Sequence, residues 1–506
     1  MNLSRRHFFF GSLLAGAVPA GGYGSVKSLK ALGYKPYYDK LNVAAIGAGG
    51  RGAQILDDAG KTENIVALCD VDEKRAARSF EKYSALPKYK DFRVMLDKEG
   101  DNIDAVTIGI PDHMHATVAL HAMQRGKHVY LEKPMTRTPW EARLMADAAK
   151  KYNVVTQMGN QGYSHESCRV ASEMVWSGAI GDVTEVHASS SPGTHPTGAS
   201  SLPPEQGVPE GLDWNLWLGG AKMRPYSDRY TPYNWRGYYD FGTGQLGNWG
   251  IHILGPVNMA LQLGAPSSVE LVHVEGSSDW TVPDQAVIRY DFPARGGLAP
   301  VSVYWHDSVR HMHEQAYHVP GMEGEDILPS SNNLGDKGRQ MDPPRRRTRR
   351  PTQTSSGARP VTGAGGAGVP VFGGEGRRDP AVKGILNQNG AVFVGNDGIM
   401  ATVARGEGVH LLPSDRWADY ELPPQLLTRS PGHMLDWVRA AKGGDASCSH
   451  FGISGPYTEW VVLGVIAFRV PGKKLEWDSE NLRFTNSEEA NKYVKPDFRE
   501  GWELKL

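Results

Sequence analysis

The sequence predicts an α/β fold whose first half is a parallel, doubly wound sheet. Three observations carry this. Short apolar runs alternate with helix-like stretches from Leu41 to Met158, the order that builds parallel strands with crossover helices. A glycine run, Gly47-Ala48-Gly49-Gly50-Arg51-Gly52, follows the first apolar run directly. The chain has 506 residues, 40% hydrophobic and 22% charged, enough for roughly two or three structural units with real cores. Its 55 Lys plus Arg against 56 Asp plus Glu leave a net charge of −1. That balance gives no whole-chain case for nucleic acid. Cys69, Cys168 and Cys448 are its 3 cysteines. An odd, sparse set without CxxC spacing excludes a disulfide framework and a zinc or redox motif.

Residues 1–36 read as an address and a linker. Residues 4–10 are Ser-Arg-Arg-His-Phe-Phe-Phe, and a weakly apolar run covers Gly11 to Val18. Small residues stand at Ala15 and Ala17 near its end and at Ala20 just beyond it. A basic start, a short apolar centre and an Ala-x-Ala end make an export signal. Arg5-Arg6 before bulky apolar residues resembles the twin-arginine (Tat) signal. The expectation is a periplasmic or otherwise exported protein that folds before it leaves the cytoplasm. The run is too short for stable membrane insertion.

Residues 37–160 form the predicted cofactor domain. Leu41 to Ile46 reads as a buried strand, Ala53 to Ala59 as a helix and Ile65 to Leu68 as a second strand, ending at Cys69-Asp70. Strand, GxGxxG, helix, strand and acid in this order are the context of a dinucleotide-binding Rossmann fold. The first glycine allows a tight turn, the second admits a pyrophosphate and the third lets helix and strand pack. The helix N-terminus supplies amides and positive dipole to the phosphates. Asp70 stands 18 positions after Gly52, where a carboxylate meets the adenosine ribose and favours NAD. Arg75 keeps NADP open. Strands then read over Asp104–Ile110, His128–Leu131 and Val154–Met158, with helices over Ala116–Gln124 and Glu141–Lys151. Ligands of such sheets sit at the carboxyl ends of the strands. Two polar clusters fall there: Pro111-Asp112-His113-Met114-His115 and Glu132-Lys133-Pro134.

Those clusters and the glycine loop together resemble the Gfo/Idh/MocA oxidoreductases, named for glucose–fructose oxidoreductase and inositol dehydrogenase. Glu132-Lys133-Pro134 is the most specific short element of the likeness, which spans about residue 40 to the C-terminus. The resemblance implies an N-terminal Rossmann NAD(P)-binding domain and, over 161–506, a C-terminal α/β substrate domain with a large, mostly antiparallel open sheet. It implies a nicotinamide between the two and oligomer contacts through the sheet, giving a dimer or tetramer. The cofactor set it implies is Gly47, Gly49, Gly50, Arg51, Gly52, Asp70, Pro111, Asp112, His115, Glu132, Lys133 and Asn160. Lys133 would touch both nicotinamide ribose and substrate hydroxyl. On chemical grounds alone, an ammonium beside a reacting hydroxyl lowers the cost of an alkoxide.

Gly159-Asn160-Gln161-Gly162 puts polar amides at a strand end, suited to cofactor or a polyhydroxyl ligand. Ser164 to Trp176 reads as a helix. Ser191 to Gly244 is a long irregular stretch rich in aromatics, including Trp214, Trp217, Tyr230 and Trp235 beside Arg236. Flat rings beside polar groups suit sugars, and aromatic content argues against disorder. Gly242 to His252 looks like the family's glycine-led helix, in which an Asp precedes a His by four residues on one helical face. His252 would take the hydroxyl proton, since its ordinary pKa lies near neutrality. The Asp position is Asn248, and Gly255 stands where an acid often follows the His. Asn cannot stabilise an imidazolium by charge but can orient substrate or His252. The run His252-Ile253-Leu254-Gly255-Pro256 also resembles that of the family's NAD-dependent glycosidases, with Trp249 where they carry Tyr. The expected substrate contacts are Lys133, Gln161, Trp235, Arg236, Asn248, His252 and His306, with Lys133, His252 and Asn248 catalytic.

Ser268–Glu275, Asp284–Tyr290 and Pro300–Trp305 read as strands of the second sheet. His306, His311, His313 and His318 cluster in sequence but carry no HExxH or spaced carboxylate, so no metal is expected. Residues 330–380 break composition. Lys337 to Arg350 holds seven positive residues and one negative, then Thr/Ser/Pro and Gly/Ala-rich sequence follows, which reads as a disordered insertion. Strands resume at Gly390–Gly395 and Ile399–Val403 around Asn396-Asp397-Gly398, and helices at Gly432–Ala441 and Pro456–Val470. The expected function is NAD(P)-dependent oxidation of a sugar, polyol or glycoside with tightly held cofactor. The alternatives are a redox-neutral glycosidase and a non-catalytic binding protein.

Overall fold

The structure, a computed structural model, describes residues 39–308, 316–328, 333–335, 383–386 and 388–506. The N-terminal signal and nearly all of the 330–380 insertion, with His311 and His313, lie outside them.

Six parallel strands make the first sheet: β1 (Asn42–Ile46), β2 (Asn64–Cys69), β3 (Lys88–Tyr89), β4 (Ala105–Ile108), β5 (His128–Leu131) and β6 (Thr156–Met158). They lie in the order β3-β2-β1-β4-β5-β6. The order reverses at β1, so ligands are expected beyond the carboxyl ends of β1 and β4. The helices between them are α1 (Gly50–Ala59), α2 (Glu73–Lys82), α3 (Phe92–Glu99), α4 (His115–Gln124) and α5 (Pro139–Lys151). Start signals explain their limits. Asp72 and Asp91 cap α2 and α3 through backbone amides. Thr138 and Glu141 form a reciprocal capping box ahead of α5, with Pro139 in its first turn. The strands are apolar on both faces because helices cover both: β4 is buried at all four residues.

The second domain opens with α6 (Glu166–Trp176) and carries a nine-stranded sheet. Its members are β7 (Val183–Ser189), β8 (Ser268–Glu275), β9 (Gln285–Phe292) and β10 (Val301–Asp307). After a separate two-stranded ladder of β11 (Tyr317–His318) and β12 (Ile385–Leu386), it continues with β13 (Gly390–Gly395), β14 (Ile399–Val403), β15 (Gly408–Leu412), β16 (Lys474–Asp478) and β17 (Arg483–Phe484). The order is β15-β14-β13-β7-β10-β9-β8-β16-β17. Only β7 and β10 pair in parallel; the other neighbours run antiparallel. Odd residues of β10 face inward, where the Trp305 ring lies under Gly250. Even residues face the opposite side, because successive strand side chains alternate.

Three helices join sheet and cofactor domain: α7 (Ile251–Ala260), α8 (His433–Ala441) and α9 (Phe451–Arg469). Helix α9 is long and apolar enough to cross a membrane, but 83% of that stretch is buried inside the protein. It packs on α5 and on β8 and β9. Tyr457 donates to the Ile251 carbonyl (2.8 Å), Trp460 to Asn258 (3.0 Å) and Tyr290 to the Val461 carbonyl (2.9 Å). Arg143 of α5 meets Glu459 at 2.8 Å. Helix α9 thus clamps α7, which bears His252, against both domains.

The long aromatic stretch folds on itself. Trp214, Trp217, Tyr226, Tyr230, Trp235, Tyr238 and Phe241 form one buried cluster. Trp214 and Trp217 stack with centroids 4.6 Å apart. These rings cement the loop rather than line an open sugar platform.

Candidate active site

The glycine turn between β1 and α1 is shaped by backbone fit. Gly47 has φ +84°, a region that L side chains rarely adopt. A Cβ on Gly52 would run into the Gly47 carbonyl, so only glycine lets α1 pack this closely. Helix α1 has no side-chain cap and no acidic residue in its first turn. Its N-terminal amides and dipole therefore suit an anion. Asp70, at the end of β2, accepts from the Ala48 amide (2.7 Å), the Gly49 amide (3.1 Å) and the Asp72 amide (2.9 Å). It holds the turn in shape, and burial raises its pKa. The Arg75 side chain lies against Gly49 and Gly50. Asn160 accepts from Ser449 (2.6 Å), while its buried Nδ2 has no partner among the described residues. Uncapped helix amides and an orphaned amide donor fit a dinucleotide lying across the strand ends.

Glu132 follows β5 and acts as a strut. Its Oε1 accepts from Arg51 (2.8 Å) and Gln161 (3.2 Å). Both were expected to meet ligands, and both are engaged with this carboxylate in the structure. Pro111 starts a short 3₁₀ turn, Asp112–Met114. Asp112 is buried, accepts from the Thr243 hydroxyl (2.8 Å) and has its pKa raised by burial. Arg236 rides between the Tyr233 and Trp235 rings, 4.2 Å from each centroid. Its charge bears on both Asp112 and Lys133.

Lys133 is the chemical centre. Its Nζ donates to two oxygens of one residue, the Asn248 carbonyl and Oδ1, both at 2.7 Å. Burial pulls its pKa down to about 7, with Arg236 and Arg51 adding and Glu132 and Asp112 opposing. Asn248 lies in a π-helical turn, Leu246–Gly250, that runs directly into α7. The sequence spacing predicted one regular helix. The widened turn lets both the carbonyl and the side chain of Asn248 reach Lys133, and such turns concentrate at functional sites. Gln245 fixes the amide orientation, accepting from Asn248 Nδ2 (3.1 Å) and donating to the Ser191 carbonyl (2.7 Å). His252 sits in the first turn of α7. It is buried, and its Nδ1 has no partner among the described residues. Burial first, then Lys133, Arg405, Arg51 and His433, hold its pKa well below the usual range.

Several expected contacts are corrected. His115 uses both ring nitrogens internally, on the Pro134 carbonyl (2.7 Å) and the Ile110 carbonyl (2.9 Å). It braces the Glu132-Lys133-Pro134 turn instead of reaching for cofactor. Trp235 is buried in the aromatic cluster and serves as a base under Arg236. His306 belongs to another neighbourhood. It lies on the face of β10 opposite Trp305, with Nε2 3.1 Å from His187 Nδ1. His187 is stacked in turn on Tyr304 and Tyr317. Gly255 and Pro256 have packing reasons: Gly255 faces the Tyr163 ring and Pro256 meets Gly406.

Sequence reasoning missed Thr243, Gln245, Ser164, His433 and Arg405. Thr243 and Gln245 stood inside the glycine-led run and could have been found there. His433 starts α8, hundreds of residues from Lys133. Its Nε2 faces the Met158 carbonyl (2.9 Å), so its Nδ1 accepts from Ser164 (2.6 Å). No local signal could join these groups.

Known proteins agree with this architecture. Residues 41–160 match the oxidoreductase family's NAD-binding Rossmann fold, and residues 170–290 match that family's C-terminal α/β domain. Levoglucosan dehydrogenase of Pseudarthrobacter phenanthrenivorans is 29% identical over 23% of this chain and 29% of its own length. A glycosyl hydrolase family 109 protein of Solibacter usitatus is 28% identical over 33% of this chain and 41% of its own. The chain thus aligns with less than half the length of these curated relatives. An inositol dehydrogenase homologue from Azotobacter vinelandii, solved with NADH and myo-inositol, shares the fold at a TM-score of 0.50. It is 14% identical, over 88% of this chain and 99% of its own. Residues 41–160 and 170–290 thus carry, in order, the NAD-binding Rossmann domain and the C-terminal α/β domain of the Gfo/Idh/MocA oxidoreductase family.

Proposed function

We propose that the protein oxidises a carbinol of a sugar, polyol or glycoside with NAD, held tightly between its two domains, with NADP as the lesser cofactor. The observation that carries this is Lys133, half-buried, brought to about 7 by desolvation, its Nζ bonded among the described residues to two neutral oxygens of Asn248. A proton-transfer group works best with a pKa near the operating pH. A bound nicotinamide supplies the hydride acceptor. The remaining work falls to the chain. As a neutral amine, Lys133 spends two N–H bonds on Asn248 and keeps a lone pair to accept the hydroxyl proton. After transfer, the ammonium keeps both bonds and has a third N–H for the new carbonyl oxygen. His252 stays neutral, so it serves as a hydrogen-bond partner and weak base. Asn248 is the positioning residue: a neutral oxygen pair leaves Lys133 near neutrality, where a carboxylate would raise it.

A second reading, a redox-neutral glycosidase, is favoured by the likeness to the family 109 protein and by the twin-arginine pattern at residues 4–10. An exported enzyme meets little free NAD, so its cofactor would be recycled within the site. Oxidation at C3 would acidify the C2 proton; elimination, water addition and re-reduction would close the cycle. The test mixes cofactor-loaded protein with glycosides and polyols, without added NAD, and follows nicotinamide absorbance and released sugar together. A lasting rise without cleavage supports net oxidation. Cleavage without a lasting rise assigns the glycosidase cycle. Neither signal, with no NAD(H) found by mass spectrometry of the denatured protein, overturns both.

A further inference from the structure

The hairpin between β14 and β15 brings one residue to the site from the far end of the second sheet. Its turn is strained: Ala404 has φ +45° and Gly406 φ +80°. The first is costly for a residue with a side chain. The turn is held by the Ala404 amide on the Asn389 carbonyl and the Gly406 amide on the Val403 carbonyl, both at 2.8 Å. Gly406 meets Pro256, one turn past His252 on α7, and Gly162 lies against the Arg405 carbonyl. The result is a half-buried Arg405 guanidinium 5.3 Å from the Trp249 ring. That ring meets the His252 ring edge to face, with centroids 6.1 Å apart.

Arg405 has no carboxylate partner among the described residues. Of the other arginines of the site, Arg51 is paired with Glu132 at 2.8 Å, and Arg236 is held between the Tyr233 and Trp235 rings and bonds the Tyr233 carbonyl. The ionisable neighbours weighing most on His252 are Lys133, Arg405, Arg51 and His433, none of them acidic. The position that could supply a negative charge is Asn248. A guanidinium over an indole face keeps its N–H edge free for a planar, bidentate acceptor.

We propose that the substrate is a sugar acid whose carboxylate is bound by Arg405, on the Trp249 side of His252. This rests on the oxidoreductase reading above and names its substrate class. The planar fork of the Arg405 guanidinium matches the two oxygens of a carboxylate. The neutral Asn248 fits as well, since an aspartate there would repel the incoming anion.

The test uses the full-length, NAD-loaded protein with three matched substrates: a hexuronic acid, the corresponding neutral hexose and its 6-phosphate. A hydrogen bond to a charged group predicts a kcat/KM preference for the acid over the neutral sugar of roughly 10- to 100-fold. In Arg405→Gln that ratio collapses towards one, and Arg405→Lys recovers part of it, with thermal unfolding showing both variants folded. Should Arg405→Gln not fold, rising ionic strength and added free acetate are expected to erode the acid preference of the unaltered protein. Neutral sugar or sugar phosphate used better than the acid overturns this inference and leaves the oxidoreductase reading standing. Failure to oxidise any of the three by NAD-loaded protein overturns both.

Discussion

The two halves of the site handle charge in opposite ways. On the cofactor half, each carboxylate is committed to structure: Asp70 to the loop amides, Glu132 to Arg51 and Gln161, Asp112 to Thr243. On the reacting half, Lys133 rests on two amide oxygens, and among the described residues His252 Nδ1 has no partner and Arg405 no counter-ion. Paired charges brace the turns that aim the strand ends. Charges denied a partner keep their reactivity and are raised in energy by burial.

The sharpest way to break this contrast is to remove its centre. Lys133→Ala is expected to lower kcat/KM by about 10²- to 10⁴-fold, the range of a lost proton-transfer group. The variant should retain NAD(H) through desalting, because the glycine turn is untouched. Full activity would move the chemistry elsewhere.

Asn248→Asp makes the reacting half resemble the cofactor half. A carboxylate beside Lys133 favours the ammonium, raising its pKa by ~1–3 units. Lys133 must be neutral to accept a proton, so the acidic limb of the kcat/KM profile should move from about 7 to higher pH. Activity near neutrality then falls about tenfold for each unit of that shift. An unmoved limb would remove Lys133 from the role of base.

The same contrast explains what was legible in the sequence. Gly47, Gly52 and Asp70 were readable because their jobs are local: a positive φ, a close approach, a loop tied within one βαβ unit. Strands Ser268–Glu275, Gly390–Gly395 and Ile399–Val403 were read at their true limits, since turn residues and alternation mark them. Arg405 and His433 were invisible, because a strained hairpin and a helix start bring them to His252 across most of the second domain. His306 misled for the converse reason. A histidine at a strand end looks like a ligand contact, but pleat alternation decides which face it serves, and a one-residue difference reverses the answer.

His306→Ala tests that last point, with the smallest expected effect on turnover. His306 and His187 pair on the outer face of the sheet, behind the layer that carries Trp305. Losing a buried polar side chain there should cost about 1–3 kcal/mol in denaturant unfolding, with kcat and KM changed less than about twofold, as additivity of distant sites requires. The pH response gives a second reading of the same layer. Burial, with His306 adding, holds the His187 pKa down to about 2, against an ordinary value near 6.5. Between those limits the unfolded chain binds the proton and the folded one does not, so this layer's share of stability is full above about 6.5 and declines as pH falls. His187→Phe, which keeps a ring against Tyr304 and Tyr317, should flatten that acid-side decline without altering turnover at neutral pH. A tenfold loss of kcat in either variant would place the outer face within the catalytic unit and dissolve the distinction between the two faces of β10.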